Sequence, residues 1–345
     1  MINFSIKKKR TIQRINCTDL RRTCFRRSRT LAFLSLWCII LAVPCSAGSD
    51  ARLDAMAGAV GIGGYPGSMM YNTAGLSDID DLSTTISWSS PQPDVGGLHD
   101  ISAVIAMPLF QIKKKQAVNA GISYRGLMYS TLYREQYLGG GISFDIAKLI
   151  QIDPLSTLAA GIEAGGAFMT FLNDAEYDQI YSTSIERDHG FSLSAGIRAV
   201  MLNESLSFGY SVRDILQRSP SVSQLSRKLF PDMRAGAGYH ITSIWNMKIL
   251  LAGDICFGQS VDGRLGAEAG IQDVVFTRFG GGFGTSGYNF LSGGAGVRLP
   301  FQGRIVRLDG GLNFYPGVRS GQFIDNVTVS ISVLPGSGSP KRRGR

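Results

Sequence analysis

Residues 326–334 read NVTVSISVL, and this stretch decides between two kinds of fold. Its apolar side chains alternate with the hydroxyl side chains of Thr328, Ser330 and Ser332. A period of two is typical of a β-strand with one apolar and one polar face. In a soluble sandwich the apolar face would cover a core, whereas in an outer-membrane barrel it would meet lipid and the hydroxyls would face a polar lumen. One strand is compatible with both, so the rest of the chain decides.

Thirteen further segments of the same kind precede this stretch, so the sequence predicts fourteen strands. Almost no part of the chain has a helical period of useful length. Strands of about ten residues separated by turn residues are typical of outer-membrane barrels. The predicted strands cover 83–90, 98–109, 116–129, 134–147, 155–172, 190–202, 205–213, 231–241, 246–257, 263–271, 274–283, 287–299, 303–314 and 326–334.

The polar face of these segments repeatedly carries one charged residue among glycines and serines. In FSLSAGIRAV, for example, Arg198 lies on the same side as Ser192 and Ser194. Inside a barrel this face lines the lumen, where charges of both signs form ion pairs or border a route. The predicted lumenal charges are Arg125, Asp145, Glu163, Arg198, Arg213, Arg234, Lys248, Asp254, Arg264, Glu268, Arg298 and Asp309.

The connections between strands differ in length at the two ends of the predicted sheet. The longest irregular stretches, 173–189, 214–230 and 315–325, fall at one end, and short turns such as LNES and PFQG fall at the other. Long outer loops with short periplasmic turns are typical of outer-membrane barrels. A soluble sandwich usually has fewer strands and no such pattern. Residues 83–334 are therefore predicted to form an all-β, fourteen-stranded antiparallel transmembrane barrel, closed between the first and last strands.

The N-terminus predicts export from the cytoplasm. Basic residues precede the apolar run LAFLSLWCIILAV at 31–43, and small residues follow it, as in a secretory signal peptide. Thirteen apolar residues are too few to span a bilayer. We predict a signal peptide at 1–47 with cleavage after Ala47; a lipoprotein would use Cys45, but Pro44 argues against that. The predicted location is the bacterial outer membrane.

The charge distribution excludes a nucleic-acid partner. The net charge is +9, but residues 1–47 hold ten Lys and Arg and one acid, and the remainder carries 25 basic and 25 acidic residues. A phosphate-binding groove needs its basic excess within the folded part. The end of the chain, 335–345, is a basic polar tail. Four of the five cysteines leave with the signal peptide, so neither an intramolecular disulfide nor a cysteine-rich metal site is predicted.

Residues 48–82 are rich in glycine and do not alternate, which distinguishes them from the strands. A barrel of fourteen strands leaves a lumen wider than its own side chains fill, so we predict that this segment folds inward as a plug. Its GAVGIGG is not a dinucleotide site, because Pro66 interrupts it and no βαβ unit surrounds it. Asp78, Asp80 and Asp81 lack the spacing of a calcium loop. No cofactor and no metal are predicted.

The plug sequence resembles outer-membrane proteins of the FadL and PorV type. Asn72, Ala74, Gly75 and Leu76 match a motif like NPAGL, with Thr73 at the usual proline. LFPDMRAGAGYHI and LLAGDICFG also resemble PorV-type segments. The resemblance implies a fourteen-stranded barrel with an N-terminal plug. A FadL-like protein would move long-chain fatty acids or other hydrophobic molecules, whereas a PorV- or PorQ-like protein would serve type IX protein secretion and surface attachment.

These features favour passive uptake of a hydrophobic small molecule, with a non-transporting scaffold for secreted proteins as the alternative. Both hypotheses imply outer-membrane lipid and the barrel-assembly machinery as further partners. An enzyme is not predicted. The three histidines, His99, His189 and His240, have no paired nucleophile, and the chain has no G-x-S-x-G elbow.

Overall fold

The structure of the protein is a computed structural model that describes most of the chain after residue 49. The predicted signal peptide and the end of the basic tail lie outside the described residues. Within the described part, no helix is long and apolar enough to cross a membrane. The described residues are 50–57, 61–91, 98–112, 115–129, 133–150, 155–171, 187–218, 231–244, 247–258, 261–285, 289–314 and 326–336.

The described residues form fourteen antiparallel strands in a closed barrel, in which each strand pairs with its neighbours in the chain and β1 pairs with β14. The predicted fold class is therefore confirmed in its strand number, direction and closure. The strands are β1 Ser83–Pro91, β2 Leu98–Ile112, β3 Lys115–Tyr129, β4 Tyr133–Asp145, β5 Thr157–Phe171, β6 Arg187–Met201, β7 Leu206–Arg218, β8 Asp232–Ile244, β9 Met247–Phe257, β10 Val261–Ile271, β11 Val275–Gly284, β12 Phe290–Phe301, β13 Arg304–Phe314 and β14 Asn326–Pro335.

The closing pair fixes the orientation of β14. Ile86 lies opposite Ile331, and Thr85 lies opposite Ser332 with their hydroxyl oxygens 2.9 Å apart. Thr328, Ser330 and Ser332 are buried, so the hydroxyl face points inward. The sequence-based prediction for this strand is confirmed.

The outer surface of the barrel is a belt of exposed apolar side chains. Ile86 is 59% exposed, Ile162 56% and Phe279 67%. Their strand neighbours Ser87, Glu163 and Arg278 are buried on the inner side, as the alternation of a strand requires. These strands therefore separate an apolar outside from a polar inside, whereas the inner faces of β2 and β9 also carry buried apolar residues such as Val104 and Leu250.

The two ends of the barrel differ in their connections. At the end where β1 begins, which we call the turn end, short turns such as 202–205, 272–274 and 302–303 join the strands. Gln302 and Gly303 both have positive φ, as a two-residue hairpin turn requires. The longest connections lie at the opposite end, the loop end. The predicted difference in connection length is confirmed.

The predicted strand bounds lie within three residues of the observed ones except at the end of β7. Strand β7 does not end at residue 213 but continues to Arg218 through a bulge: Ala195 pairs with Val212, and Leu193 pairs with Leu216. The additional residues on β7 interrupt its alternation, so the sequence pattern ends early. Residues 146 and 147 belong to a short helix, α2 (Ile146–Ile150), and not to β4.

Residues 50–57 and 61–82, which we call the inner segment, lie inside the barrel. They form α1 (Ala51–Ala55) and two 3-10 helices, Pro66–Met70 and Thr73–Asp78. Helix α1 contacts β11 to β14, and the second 3-10 helix contacts β3 to β6 on the other side of the barrel. The inner segment therefore crosses the lumen.

Candidate functional site

Glycines on the inner face of the wall allow the backbone of the inner segment to approach it closely. A Cβ atom at Gly161 would collide with the backbone nitrogen of Ala74, and one at Gly266 would collide with the carbonyl oxygen of Met56. Backbone atoms cannot rotate away as a side chain can. Part of the glycine content of the strands therefore follows from contact with the inner segment.

The residues of the NPAGL-like motif form the second 3-10 helix and its start. Asn72 caps this helix, because its Oδ1 accepts a hydrogen bond from the backbone N–H of Ala74 at 3.1 Å. Its Nδ2 donates to the carbonyl oxygen of Ile197 in β6 at 3.0 Å. Gly75 and Leu76 are buried in the same helix. One asparagine thus both starts the helix and attaches it to the wall.

Thr73, which stands at the usual proline of the motif, contacts a buried carboxylate. Its hydroxyl donates to Oε2 of Glu163 at 3.3 Å. The other oxygen of Glu163 accepts hydrogen bonds from Ser123 at 3.0 Å and from Tyr137 at 3.3 Å. A proline fits the first position of a helix but has no hydroxyl. The substitution therefore adds a polar contact between the inner segment and β5.

A buried ion cluster attaches α1 to the opposite part of the wall. Nε and Nη2 of Arg52 donate to the two carboxylate oxygens of Glu268 at 2.9 and 2.8 Å. Glu268 also accepts from Arg278 at 2.7 Å and from Arg307 at 3.0 Å. Asp309 pairs with the same two wall arginines, at 2.7 and 2.8 Å. All five side chains are buried, so we call this group the ion cluster.

The buried aromatic ring of Phe276 lies beside the ion cluster. The guanidinium carbons of Arg298 and Arg307 each lie 4.7 Å from the centre of the Phe276 ring. A third guanidinium, that of Arg278, lies 5.9 Å from the same centre. Contact with the ring face offsets part of the repulsion among these cations.

Asp50 caps α1 beside the ion cluster. Its Oδ1 accepts a hydrogen bond from the backbone N–H of Arg52 at 2.8 Å. Burial, together with the negative charge of Asp309, raises the pKa of Asp50 from 3.8 to about 6, and the nearby charge of Arg307 offsets only part of this rise. The ionised carboxylate is therefore disfavoured in the folded protein.

A cavity of about 310 Å³, which we call the vestibule, lies between the inner segment and the loop end. Its walls are mainly polar and come from both the inner segment and the strands. The inner segment contributes Asp54, Met70 and Tyr71. Side chains from the strands that line the vestibule include Arg125, Arg213, Arg234, Arg264, Glu163, Tyr137, Phe290, Asn313 and Asn326.

The structure places the twelve predicted lumenal charges in different surroundings. Five line the vestibule: Arg125, Glu163, Arg213, Arg234 and Arg264. Of the other seven, Glu268 and Asp309 belong to the ion cluster, Arg298 lies over Phe276, and Asp254 is buried in β9. The last three form ion pairs: Arg198 with Asp78 of the inner segment, Asp145 with Lys148, and Lys248 with Asp273 at the turn end.

Sequence reasoning missed three arginines of the ion cluster, Arg52, Arg278 and Arg307. Arg307 has the same parity in β13 as the predicted Asp309, so the alternation contains a signal for it. Arg52 lies in a helical turn of the inner segment, and no period reveals its partner. The pairing depends on the tertiary structure.

Comparison with solved structures shows that the barrel has the fold of FadL-type channels. A FadL homologue of Pseudomonas aeruginosa is 11% identical, with a TM-score of 0.50 over 85% of this chain and 98% of that chain. The toluene transporter TbuX of Ralstonia pickettii is 9% identical, with a TM-score of 0.51 over 84% of this chain and 98% of that chain. The monoaromatic hydrocarbon channel CymD is 11% identical, with a TM-score of 0.53 over 84% of this chain and 96% of that chain.

At these identities the likeness shows the fold alone. No protein-family model matches the chain, and neither does any curated protein. The FadL-like barrel predicted from sequence is therefore confirmed as a fold, and two of these neighbours are described as a transporter and as a channel. The PorV or PorQ subtype stays a prediction.

Proposed function

We propose that this protein is a bacterial outer-membrane channel that passively admits small molecules and that its inner segment acts as a plug. The observation that carries the proposal is the closed barrel with an apolar outer belt and a polar, occupied lumen. In hydrocarbon every backbone polar group needs an internal partner, and a closed barrel provides one for each strand. A soluble protein would have no use for so many exposed apolar side chains around one circumference.

The orientation follows from the connections. Outer-membrane barrels have short turns on the periplasmic side, so the turn end faces the periplasm and the vestibule opens toward the outside. The predicted signal peptide delivers the chain to the barrel-assembly machinery. Outer-membrane lipid then surrounds the apolar belt.

The cargo class we propose is hydrophobic or amphipathic small molecules, of which long-chain fatty acids are one case. The stretch from Asn72 through Leu76 resembles the FadL-type motif, and this resemblance supports the proposed cargo class. The shared fold also supports it, because two neighbours are described as a toluene transporter and as a monoaromatic hydrocarbon channel. The plug would keep the lumen closed until the cargo has entered the vestibule.

Uptake by cells tests the proposal. Cells that lack outer-membrane channels for hydrophobic solutes are compared with and without this protein, with radiolabelled toluene and oleate as probes. Faster uptake of either probe in the expressing cells supports the proposal. Equal uptake of both, with the folded barrel present in the outer membrane, would overturn it.

A second candidate is a scaffold of the PorV or PorQ kind that binds secreted proteins. The observation that favours it is the firm attachment of the inner segment, which is fixed to β6 by Asn72 and to β10 by Arg52. A permanently closed lumen would leave the loop end as a docking surface. Affinity purification from solubilised outer membranes distinguishes the two, because a scaffold should bring down stoichiometric secretion partners.

A further inference from the structure

The vestibule has an imbalance between its carboxylates and its arginines. Four guanidinium groups and two carboxylates line it. A guanidinium has five N–H donors and no acceptor, whereas a carboxylate only accepts. The hydrogen bonds that each side already makes within the protein decide which kind of ligand the vestibule can bind.

The carboxylates already have protein donors. Asp54 accepts a hydrogen bond from the hydroxyl of Tyr71 at 3.1 Å on Oδ1 and from that of Thr328 at 2.9 Å on Oδ2. Both oxygens of Glu163 likewise accept from hydroxyl groups of the protein. Hydrogen bonds within the protein therefore already stabilise both carboxylates, which disfavours the vestibule as a cation-binding site.

Two of the arginines also have carboxylate partners. Arg125 donates to Asp100 from Nε and Nη2 at 3.1 to 3.3 Å. Arg234 donates to Oδ2 of Asp232 from Nε and Nη2 at 3.0 and 2.6 Å. Each makes at least two hydrogen bonds to one carboxylate, so most of its charge is compensated locally.

Among the described residues, the remaining two arginines, Arg213 and Arg264, form no ion pair with a carboxylate. Arg213 donates from Nη1 to the carbonyl oxygen of Met70 at 2.6 Å, and a carbonyl does not neutralise a cation. Nε of Arg264 is buried and has no hydrogen-bond partner in the described part of the chain. The Arg264 guanidinium lies 5.8 Å from the centre of the Phe290 ring, which orients the group without engaging its N–H edge.

We infer that the vestibule binds the acidic group of a small organic acid and that Arg264 and Arg213 hold this group. The carboxylate would accept from both guanidiniums, and the body of the molecule would lie against Phe290 and Tyr71. The cavity of about 310 Å³ lies at the lower end of the size range of small-molecule sites, so a single-ring acid fits within it. This inference rests on the proposed function and makes the vestibule selective for anions among the admitted molecules.

Benzoate and benzamide are suitable probes, because they share a ring and differ in charge. Binding of each to the purified full-length protein in detergent is measured by calorimetry. Entry of each into liposomes that contain the protein is measured by the rate of swelling. The first assay reports the vestibule site, and the second reports transport.

The test variant is Arg264→Gln, and Lys248→Gln is its control. Lys248 is also a cation, but it lies at the turn end and pairs with the exposed Asp273 at 2.6 Å. The heat-modifiable mobility of the barrel shows that each variant is folded. A second variant, Arg264→Lys, retains the charge and loses the planar fork of donors.

We expect benzoate to bind more tightly than benzamide to the native protein. Arg264→Gln should weaken benzoate binding about tenfold to a hundredfold, as expected for loss of a hydrogen bond to a charged group. Benzamide binding should not change, and Lys248→Gln should bind both probes as the native protein does. Arg264→Lys should fall between the native protein and Arg264→Gln.

Equal binding of the two probes, or no change on Arg264→Gln, would overturn the inference. Faster swelling with both probes in the same preparation would then leave the proposed function standing. Conversely, selective binding of benzoate without swelling in any liposome would support the vestibule site and contradict the proposed transport.

Discussion

Arg52 and Glu268 form a two-point ion pair across 216 positions of the chain, with Nε–Oε2 and Nη2–Oε1 distances of 2.9 and 2.8 Å. One residue belongs to the inner segment and the other to the middle of β10. Both are buried, so neither charge has an alternative partner in water. The pair therefore holds α1 against the wall of the barrel.

Replacing Glu268 with glutamine should release α1. The variant leaves Arg52, Arg278 and Arg307 without the carboxylate they share, and an uncompensated buried charge destabilises a protein by about 3–5 kcal/mol. We expect a larger and noisier conductance in planar bilayers and faster proteolysis near residue 52. The control is Asp273→Asn, which breaks an exposed pair with Lys248 and should change stability by at most about 1 kcal/mol. Equal effects of the two variants would contradict a role of the ion cluster in attachment.

Gly161→Ala should displace the second 3-10 helix. The added Cβ would collide with the backbone of Thr73 and Ala74, and overpacking a close contact destabilises by about 1–3 kcal/mol. Gly166→Ala is the matched control, because its Cβ would make only ordinary contacts, the nearest at 3.5 Å with Phe168. Urea unfolding in lipid vesicles measures the free energy of unfolding of both variants. The contact with Ala74 would be disproved if the two variants had the same stability.

Thr73→Val should lose the hydrogen bond to Glu163 and little else. The loss of one hydrogen bond to a buried carboxylate corresponds to about 1–3 kcal/mol. Thr73→Ser keeps the hydroxyl and should keep most of the stability. Thr73→Pro restores the usual residue of the motif and should behave like Thr73→Val. A fully stable valine variant would show that Ser123 and Tyr137 alone satisfy Glu163.

The stability difference between the native protein and Asp50→Asn should depend on pH. The pKa of Asp50 is raised to about 6 in the folded protein, so its stabilising contribution is complete below pH about 4 and is lost as the pH rises through about 6. Asparagine caps a helix as well as aspartate and does not ionise. Between pH 4 and pH 7.5 the variant should therefore gain about 2–3 kcal/mol relative to the native protein. Unfolding in urea at both pH values measures the difference in free energy of unfolding between the variant and the native protein. The same difference at both pH values would contradict the raised pKa of Asp50.

Ile86→Arg should impair insertion of the barrel into a bilayer. Ile86 is an exposed side chain of the apolar belt near the middle of β1, and an arginine at such a position destabilises a barrel by about 2–4 kcal/mol. Leu202→Arg is the control, because Leu202 is 62% exposed but lies in a turn at the turn end. Folding into phospholipid vesicles is followed by electrophoretic mobility. Equal folding of the two variants would argue against a membrane around the belt.

The sequence by itself determined the number of strands and the faces of each strand. Alternation is a local property, because successive side chains of a strand must point to opposite sides. Once fourteen such segments had been counted, the alternation in VTVSISV predicted which face of that strand points into the barrel. Prediction from this alternation failed where a strand is irregular. At β7, Asp214 has a φ of +57° and belongs to the bulge, where alternation no longer reports the strand.

Only the tertiary structure decided which charges meet. The prediction placed Glu268 and Asp309 on the inner face but could not bring Arg52 to them, because the inner segment has no period that fixes its register against the wall. The vestibule has the same origin: Arg213 and Arg264 lie on strands far apart in sequence, and they share a cavity only because the barrel closes around the inner segment. Strand faces follow from the geometry of neighbouring residues, whereas sites in a lumen follow from closure and from what fills it.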